Sequence, residues 1–200
     1  MTSRPRRNLS RGRAGTRRYR RVFFIETEGS VSEPQYFEML NNICAPVQVK
    51  TLKRLAGSAP QYLLAGMRRW LAHEGLRPTD QAWIVVDTDS WPEGRLVELH
   101  RWSTEDARYG LAVSNPKFEF WLLLHFEDGN GAATSAECSR RLGRRLPNYN
   151  KAIRTADFTP NAIAEAVNRA HTRDAAAVDW PRTPPGTTVH RLVAEIMKKV

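Results

Sequence analysis

Four short strand-like segments, three of them apolar runs and the second an alternation of apolar and polar residues, constrain the possible folds of this chain most strongly. They occupy residues 22–25, 47–52, 82–86 and 111–113. The intervening and following segments, residues 33–43, 60–73, 92–107 and 116–126, predict helices. This alternation predicts an α/β fold with a central, mostly parallel sheet of about four strands flanked by helices.

Capping residues and apolar spacing support several of the predicted helices. Residues 32–35 have the form of a capping box that begins at Ser32, and residues 58–61 repeat it. Asn115 is expected to act as the N-cap of the helix that follows the fourth strand. Tyr62 is expected on the inward face of the helix over residues 60–73, because it shares helical spacing with other apolar residues.

The C-terminal third of the chain is predicted to be helical, over residues 133–145, 160–172 and 187–199. We expect residues 133–200 to pack as an extension on an α/β core of residues 22–132, rather than to form an independent domain. With 41% apolar residues, a chain of 200 residues can bury a substantial core.

The first 21 residues form a separate, strongly basic segment with nine arginines and no acidic residue. The rest of the chain carries 22 basic and 21 acidic side chains and is nearly neutral. Such a composition predicts a disordered tail that attracts nucleic acid through phosphate contacts, although a solubilising extension would look the same. The candidate contacts are Arg17, Arg18, Arg20 and Arg21.

The lengths of the apolar runs and the cysteine content indicate where in the cell the protein is located. No apolar run approaches the length needed to cross a bilayer, so no membrane partner is expected. The two cysteines, Cys44 and Cys138, form no CxxC motif and no disulfide framework. We therefore expect a reduced, cytoplasmic protein.

Acidic residues follow the first and third predicted strands, and they carry most of the functional information. Glu28, next to Gly29, follows the first strand, and Asp87 and Asp89 follow the third. Ligands of open α/β sheets bind outside the carboxyl ends of the strands, so the three carboxylates are expected to meet there. They would repel one another without a cation, and their oxygens suit Mg²⁺ or Mn²⁺. Glu26 is expected to be a strand-end residue rather than a ligand.

Other polar residues are candidates for supporting roles. Glu119 lies within a strongly apolar segment and needs a partner, either at the site or in an internal salt bridge. Glu33 is expected either to favour the positive end of its helix or to support the site. Lys117 and Lys151 are candidate contacts to substrate phosphate, and His125 is expected to be a packed core histidine.

Specific sequence blocks resemble a known family. They are Glu28-Gly29, residues 33–37, Val86-Asp87-Thr88-Asp89 and residues 114–126, with weaker similarity at 149–151 and 184–192. The first and third blocks resemble the Toprim domain of primases, topoisomerases and overcoming-lysogenization-defect nucleases. The whole set is more closely similar to the RloB family of Toprim-like bacterial proteins, although Ser32 stands where that family usually has Thr.

The resemblance implies a presumed nuclease that is associated with bacterial defence and often accompanied by a separate ATPase subunit. A Mg²⁺-dependent nuclease acting on DNA or RNA is therefore the main prediction, with Glu28, Asp87, Asp89, Glu119 and Lys151 as its catalytic residues. Two alternatives stay open at this point. One is a different phosphotransfer enzyme, since haloacid-dehalogenase phosphatases also use D-x-D, although after their first strand. The other is a non-catalytic, nucleic-acid-binding or regulatory subunit of a defence complex.

Overall fold

Five strands form a single sheet in a computed structural model that describes residues 21–44, 47–52, 60–89, 91–147, 149–174 and 179–198. The strands are β1 (Arg21–Thr27), β2 (Val47–Thr51), β3 (Gln81–Asp87), β4 (Tyr109–Asn115) and β5 (Gly186–Thr187). Their order is β2-β1-β3-β4-β5, with β1 to β4 mutually parallel and β5 antiparallel to β4. Strands β1 and β3 are therefore central neighbours.

Helices cover both faces of this sheet. They are α1 (Ser32–Met39), α2 (Pro60–Glu74), α3 (Glu93–Ser103), α4 (Phe118–Leu123), α5 (Ser135–Arg145), α6 (Pro160–Arg173) and α7 (Val189–Met197), with 3₁₀ turns at Leu40–Asn42 and Thr155–Asp157. Among the described residues, no helix is both long and apolar enough to cross a membrane.

The central strand β3 is buried on both faces, which explains its continuous apolar run. Because successive side chains of a strand point to opposite faces, its residues divide between two cores. Trp83 and Val85 join the core formed with α1, α4, α5, α6 and α7. Ile84 and Val86 join the core formed with α2, α3 and Trp180.

The predicted α/β class, the mostly parallel sheet and the helical C-terminal part are confirmed. The fifth strand was not predicted: Gly186 and Thr187 pair with Asn115 and Ser114, so the last helix begins only at Val189. Strand β1 begins at Arg21 and extends to Thr27, which places Glu26 inside it.

Three local predictions are wrong. The N-cap of α1 is Val31, without a side-chain cap, and Ser32 belongs to the helix and bonds elsewhere. Asn115 ends β4 and donates through its side chain to the carbonyl of Pro181, so it does not cap α4. Tyr62 is 49% exposed, because it lies on the outer side of α2. The second predicted capping box begins at residues 58 and 59, which lie outside the described residues.

Candidate active site

The ends of β1 and β3 bring the first two predicted acids together. These strands pair in register as far as Thr27 and Val85, and the N–H of Glu28 donates to the carbonyl of Val85 at 2.9 Å. From this pair of strands the chain winds outward in opposite directions, to β2 on one side and β4 on the other. Glu28 and Asp87 therefore lie at the switch point where sheets of this order bind ligands.

The carboxylate of Glu28 is held by two donors. Its Oε2 accepts a hydrogen bond from the backbone N–H of Asp87 at 3.0 Å and another from the indole Nε1 of Trp91 at 2.8 Å. Trp91 was not predicted to belong to the site. Its indole and the end of β3 together fix the direction in which Glu28 points.

The carboxyl group of Asp87 has a pKa well above its usual value. Burial is the main cause, and the nearby negative charges of Glu33, Glu28 and Glu119 add to it. A hydrogen bond from the N–H of Phe118, at the start of α4, acts in the opposite direction. The site thus concentrates negative charge that the protein itself only partly compensates.

Glu33 lies in the site, directly on the backbone of Gly29. Its carboxylate is buried and accepts hydrogen bonds from its own N–H and that of Gly29. A β-carbon on Gly29 would overlap this carboxylate, so the glycine is required by close approach. Burial raises the pKa of Glu33, as does the charge of Glu119. The charge of Lys151 lowers it.

Glu119 combines the two roles considered for it. The side chain is buried in the first turn of α4, and it faces the nitrogen atoms of Lys151 at 3.5 Å and Lys117 at 3.9 Å. The hydroxyl of Tyr149 donates to its Oε1 at 3.3 Å. Glu119 is therefore both a salt-bridge partner and a residue of the site.

Lys151 is held at the rim of the site in an unusual backbone conformation, with a φ of 66°. Its carbonyl accepts a hydrogen bond from the hydroxyl of Ser32 at 2.9 Å, and that hydroxyl lies 2.9 Å from the hydroxyl of Tyr149. A left-handed conformation is rare for a residue with a β-carbon and is often found at functional sites. Neither Ser32 nor Tyr149 was predicted as part of the site.

Asp89 is more exposed than Asp87 and faces α5. The hydroxyl of Ser135 donates to its Oδ2 at 3.0 Å, and its own N–H donates to the carbonyl of Pro116 at 3.2 Å. Close by on the same helix, the hydroxyl of Ser139 accepts a hydrogen bond from Nζ of Lys117 at 2.6 Å. The first turns of α5 thus close one side of the site.

These residues line one cleft of about 440 Å³. Its polar lining consists mainly of Glu28, Glu33, Asp87, Asp89 and Glu119, with Lys117 and Lys151 at its edge. Within the ranges that the structure describes, no three His, Cys, Asp or Glu side chains are arranged as a preformed metal site. The cleft instead combines five carboxylates with the ammonium groups of two lysines.

The remaining sequence candidates lie elsewhere. Arg17, Arg18 and Arg20 are outside the described residues, whereas the Arg21 guanidinium donates to the carbonyls of Glu195 and Lys198 at 3.1 and 2.7 Å. Their part in nucleic-acid binding stays a prediction. Glu26 lies away from the cleft, against Gly66 of α2 on the other face of the sheet.

His125 is the core histidine that was predicted. It is 5% exposed, and its Nδ1 faces the carbonyls of Trp121 and Leu122 at 3.1 and 3.2 Å. That nitrogen therefore carries the proton, and Nε2 accepts from the hydroxyl of Tyr36 at 3.0 Å. Burial lowers the pKa of His125 to about 3, so the ring is neutral.

Comparison with protein families agrees with the resemblance noted in the sequence. The profile of the RloB-like protein family matches residues 23–196, which includes every described strand and helix apart from the ends of β1 and α7. The chain belongs to the RloB-like family. No curated protein and no solved structure gives a significant match. For this RloB-like protein, the family match and the cleft geometry are thus the basis for a functional proposal.

Proposed function

We propose that this RloB-like protein is a nuclease that uses Mg²⁺ or Mn²⁺ to hydrolyse phosphodiester bonds in DNA or RNA. One observation carries the proposal: five carboxylates and two lysines line a single cleft at the ends of β1 and β3. Carboxylates hold a hard divalent cation, and lysines at the rim attract a phosphate group. The combination suits a negatively charged ester better than a neutral ligand.

The donor set fits a divalent cation. Burial and mutual repulsion raise the pKa of Asp87 and Glu33, which means that their negative charge is incompletely balanced. A cation held by Glu28, Asp87 and Asp89 would relieve that repulsion. An ionised carboxylate has two oxygens and several acceptor positions, so Glu28 and Asp89 could bind a cation while the hydrogen bonds from Trp91 and Ser135 keep them oriented.

The protein's own residues would position and activate the substrate. A bound cation supplies polarisation of a phosphoryl oxygen and activation of water. Lys151 and Lys117 would bind the remaining phosphate oxygens, while Glu119 holds both ammonium groups near the cleft. Glu33, whose pKa is raised, and Glu28 are the candidate groups for moving a proton to or from the reacting oxygen atoms.

A second candidate function is a non-catalytic, nucleic-acid-binding subunit of a defence complex. It is favoured by the hydrogen bonds that engage Glu28 and Asp89 and by the lack of a preformed three-ligand cluster in the described ranges. The defence role and a separate ATPase partner rest on the family resemblance and stay predictions.

The deciding experiment compares cleavage of mixed single- and double-stranded DNA and RNA by the wild type and Asp87→Asn, with Mg²⁺ or Mn²⁺. The control, Asp106→Asn, removes one negative charge from an aspartate that pairs with Arg108 before β4. We expect cation-dependent cleavage by the wild type and the control, and none by Asp87→Asn. Binding without cleavage of any substrate would favour the second candidate.

A further inference from the structure

Helix α5 leads away from the acidic cleft. Ser135 in its first turn contacts Asp89, and Ser139, one turn further, contacts Lys117. Cys138 and Leu142 bury one side of the helix in the core. Much of the remaining surface of the helix is exposed.

The exposed side of α5 is basic. Four arginines lie there in two adjacent pairs one turn apart: Arg140, Arg141, Arg144 and Arg145. Together with Glu127 and Glu137 they line a groove of about 560 Å³. The helix contains no aromatic residue, so this groove offers charge and hydrogen-bond donors but no aromatic surface for stacking bases.

A phosphate group can displace the glutamates that pair with these arginines. Arg140 pairs with Glu137, and Arg145 pairs with Glu127 at 3.1 Å; both arginine side chains are 49% exposed, and the glutamates are 30% and 19% exposed. Exposed pairs of this kind contribute about 0–1 kcal/mol, so a phosphate can compete for the arginine. Arg144 takes no part in these ion pairs. Arg141 is more buried and donates to the carbonyl of Asn130, which gives it a structural role.

We propose that Arg140, Arg144 and Arg145 bind the phosphate backbone of a nucleic-acid strand whose neighbouring segment occupies the acidic cleft. The occupant is a phosphodiester chain because consecutive phosphates match arginines repeated at one helical turn, about 5.4 Å along the axis. The contact is expected to be independent of base sequence, because phosphate contacts carry no sequence information and the groove lining has no aromatic side chain. The placement of the strand rests on the proposed nuclease function, whereas phosphate binding by α5 does not.

The test measures binding of the full chain to a labelled mixed-sequence oligonucleotide in EDTA, as a function of salt concentration. Arg140→Gln/Arg144→Gln is compared with Arg68→Gln/Arg69→Gln. The second pair makes the same charge change at exposed arginines of α2, on the opposite face of the sheet. Single-stranded DNA, duplex DNA and single-stranded RNA are tested separately to show which backbone is preferred.

We expect the α5 variant to lower the slope of log K against log salt by about 2 in magnitude, at least for one substrate, and the α2 variant to leave it unchanged. Equal slopes for both variants, or no binding by the wild type, would overturn the α5 proposal. An acidic protein competing as well as an oligonucleotide of equal charge would overturn it too. Wild-type binding that depends on α5, without cleavage under any cation, would instead refute only the proposed catalysis.

Discussion

The carboxylate of Glu33 packs directly on the α-carbon of Gly29, so that the side chain of one residue occupies the space a β-carbon of the other would need. Gly29 follows the first strand and Glu33 lies in the first turn of the first helix, and the contact closes the loop between the two elements. The loop therefore has little freedom to move without displacing an acid of the cleft.

Gly29→Ala is expected to displace Glu33 and to reduce cleavage by at least about tenfold, which is about 1.4 kcal/mol of transition-state stabilisation. The global fold should survive, because the change affects a loop beyond the carboxyl end of β1 and not the strand itself. Cleavage rates and circular dichroism measure the two effects. Gly94→Ala is the control, since a β-carbon there meets nothing within 4 Å. Unchanged cleavage by Gly29→Ala would show that Glu33 has no catalytic part.

Trp91→Phe is expected to weaken binding of Mn²⁺ by about 10- to 100-fold, as loss of groups that orient metal ligands typically does. The change keeps an aromatic ring but removes the indole N–H that holds Oε2 of Glu28. Calorimetric titration with Mn²⁺ measures the affinity. Trp83→Phe removes an indole hydrogen bond to Gln81 at the other end of β3 and should leave it unchanged. Equal affinities in all three proteins would contradict the assigned role of Trp91.

Asp87→Asn is expected to raise the free energy of unfolding in EDTA at neutral pH. Because its pKa is higher in the folded protein than in the unfolded chain, the ionised Asp87 carboxylate destabilises the fold. The amide keeps an oxygen for the N–H of Phe118 but removes the charge. Urea denaturation measures the difference, which we expect to reverse when Mn²⁺ is added, because only the wild type should bind it tightly. A less stable variant in EDTA would contradict this electrostatic account.

His125 is expected to make the fold less stable as the pH falls below 6.5. Its pKa is lowered to about 3 in the folded protein, so between these values the unfolded chain binds the proton and the folded chain does not. The loss approaches about 1.4 kcal/mol per pH unit. Urea denaturation between pH 7 and about 5.5 should show a shallower pH dependence for His125→Gln than for the wild type. His73→Gln, at a side chain that is 74% exposed, should behave as the wild type does.

The sequence was sufficient to predict the class of fold and the position of the main acids. Glu28 and Asp87 follow apolar runs, and parallel strands bring such positions to one edge whatever the helices between them contain. The partners of these acids gave no comparable local signal. Ser32 and Tyr149 are 117 residues apart in the chain and meet only through tertiary packing.

The other features that the sequence did not predict correctly also depend on tertiary contacts. Strand β5 has two residues and no apolar run, and it exists because Thr187 pairs with Ser114. Asn115 resembled a helix cap because it precedes a proline, but the strand continues through it and its amide bonds to Pro181. The sequence did not distinguish a helix-terminal role from a site role for Glu33, because its burial depends on the turn at Gly29.

Strand β1 also determines where the arginine-rich segment joins the fold. Arg21 is the first residue of the strand and binds the carbonyls at the end of α7, while Glu28 follows the last residue. Seven residues of strand span about 23 Å, so the arginine-rich segment joins β1 at the end of the strand that lies away from the cleft. Under the proposed function, a nucleic acid captured near Arg21 would therefore have to extend along the length of the sheet to reach the cleft. Removing residues 1–20 should consequently slow the capture of long substrates while leaving the turnover of short oligonucleotides unchanged.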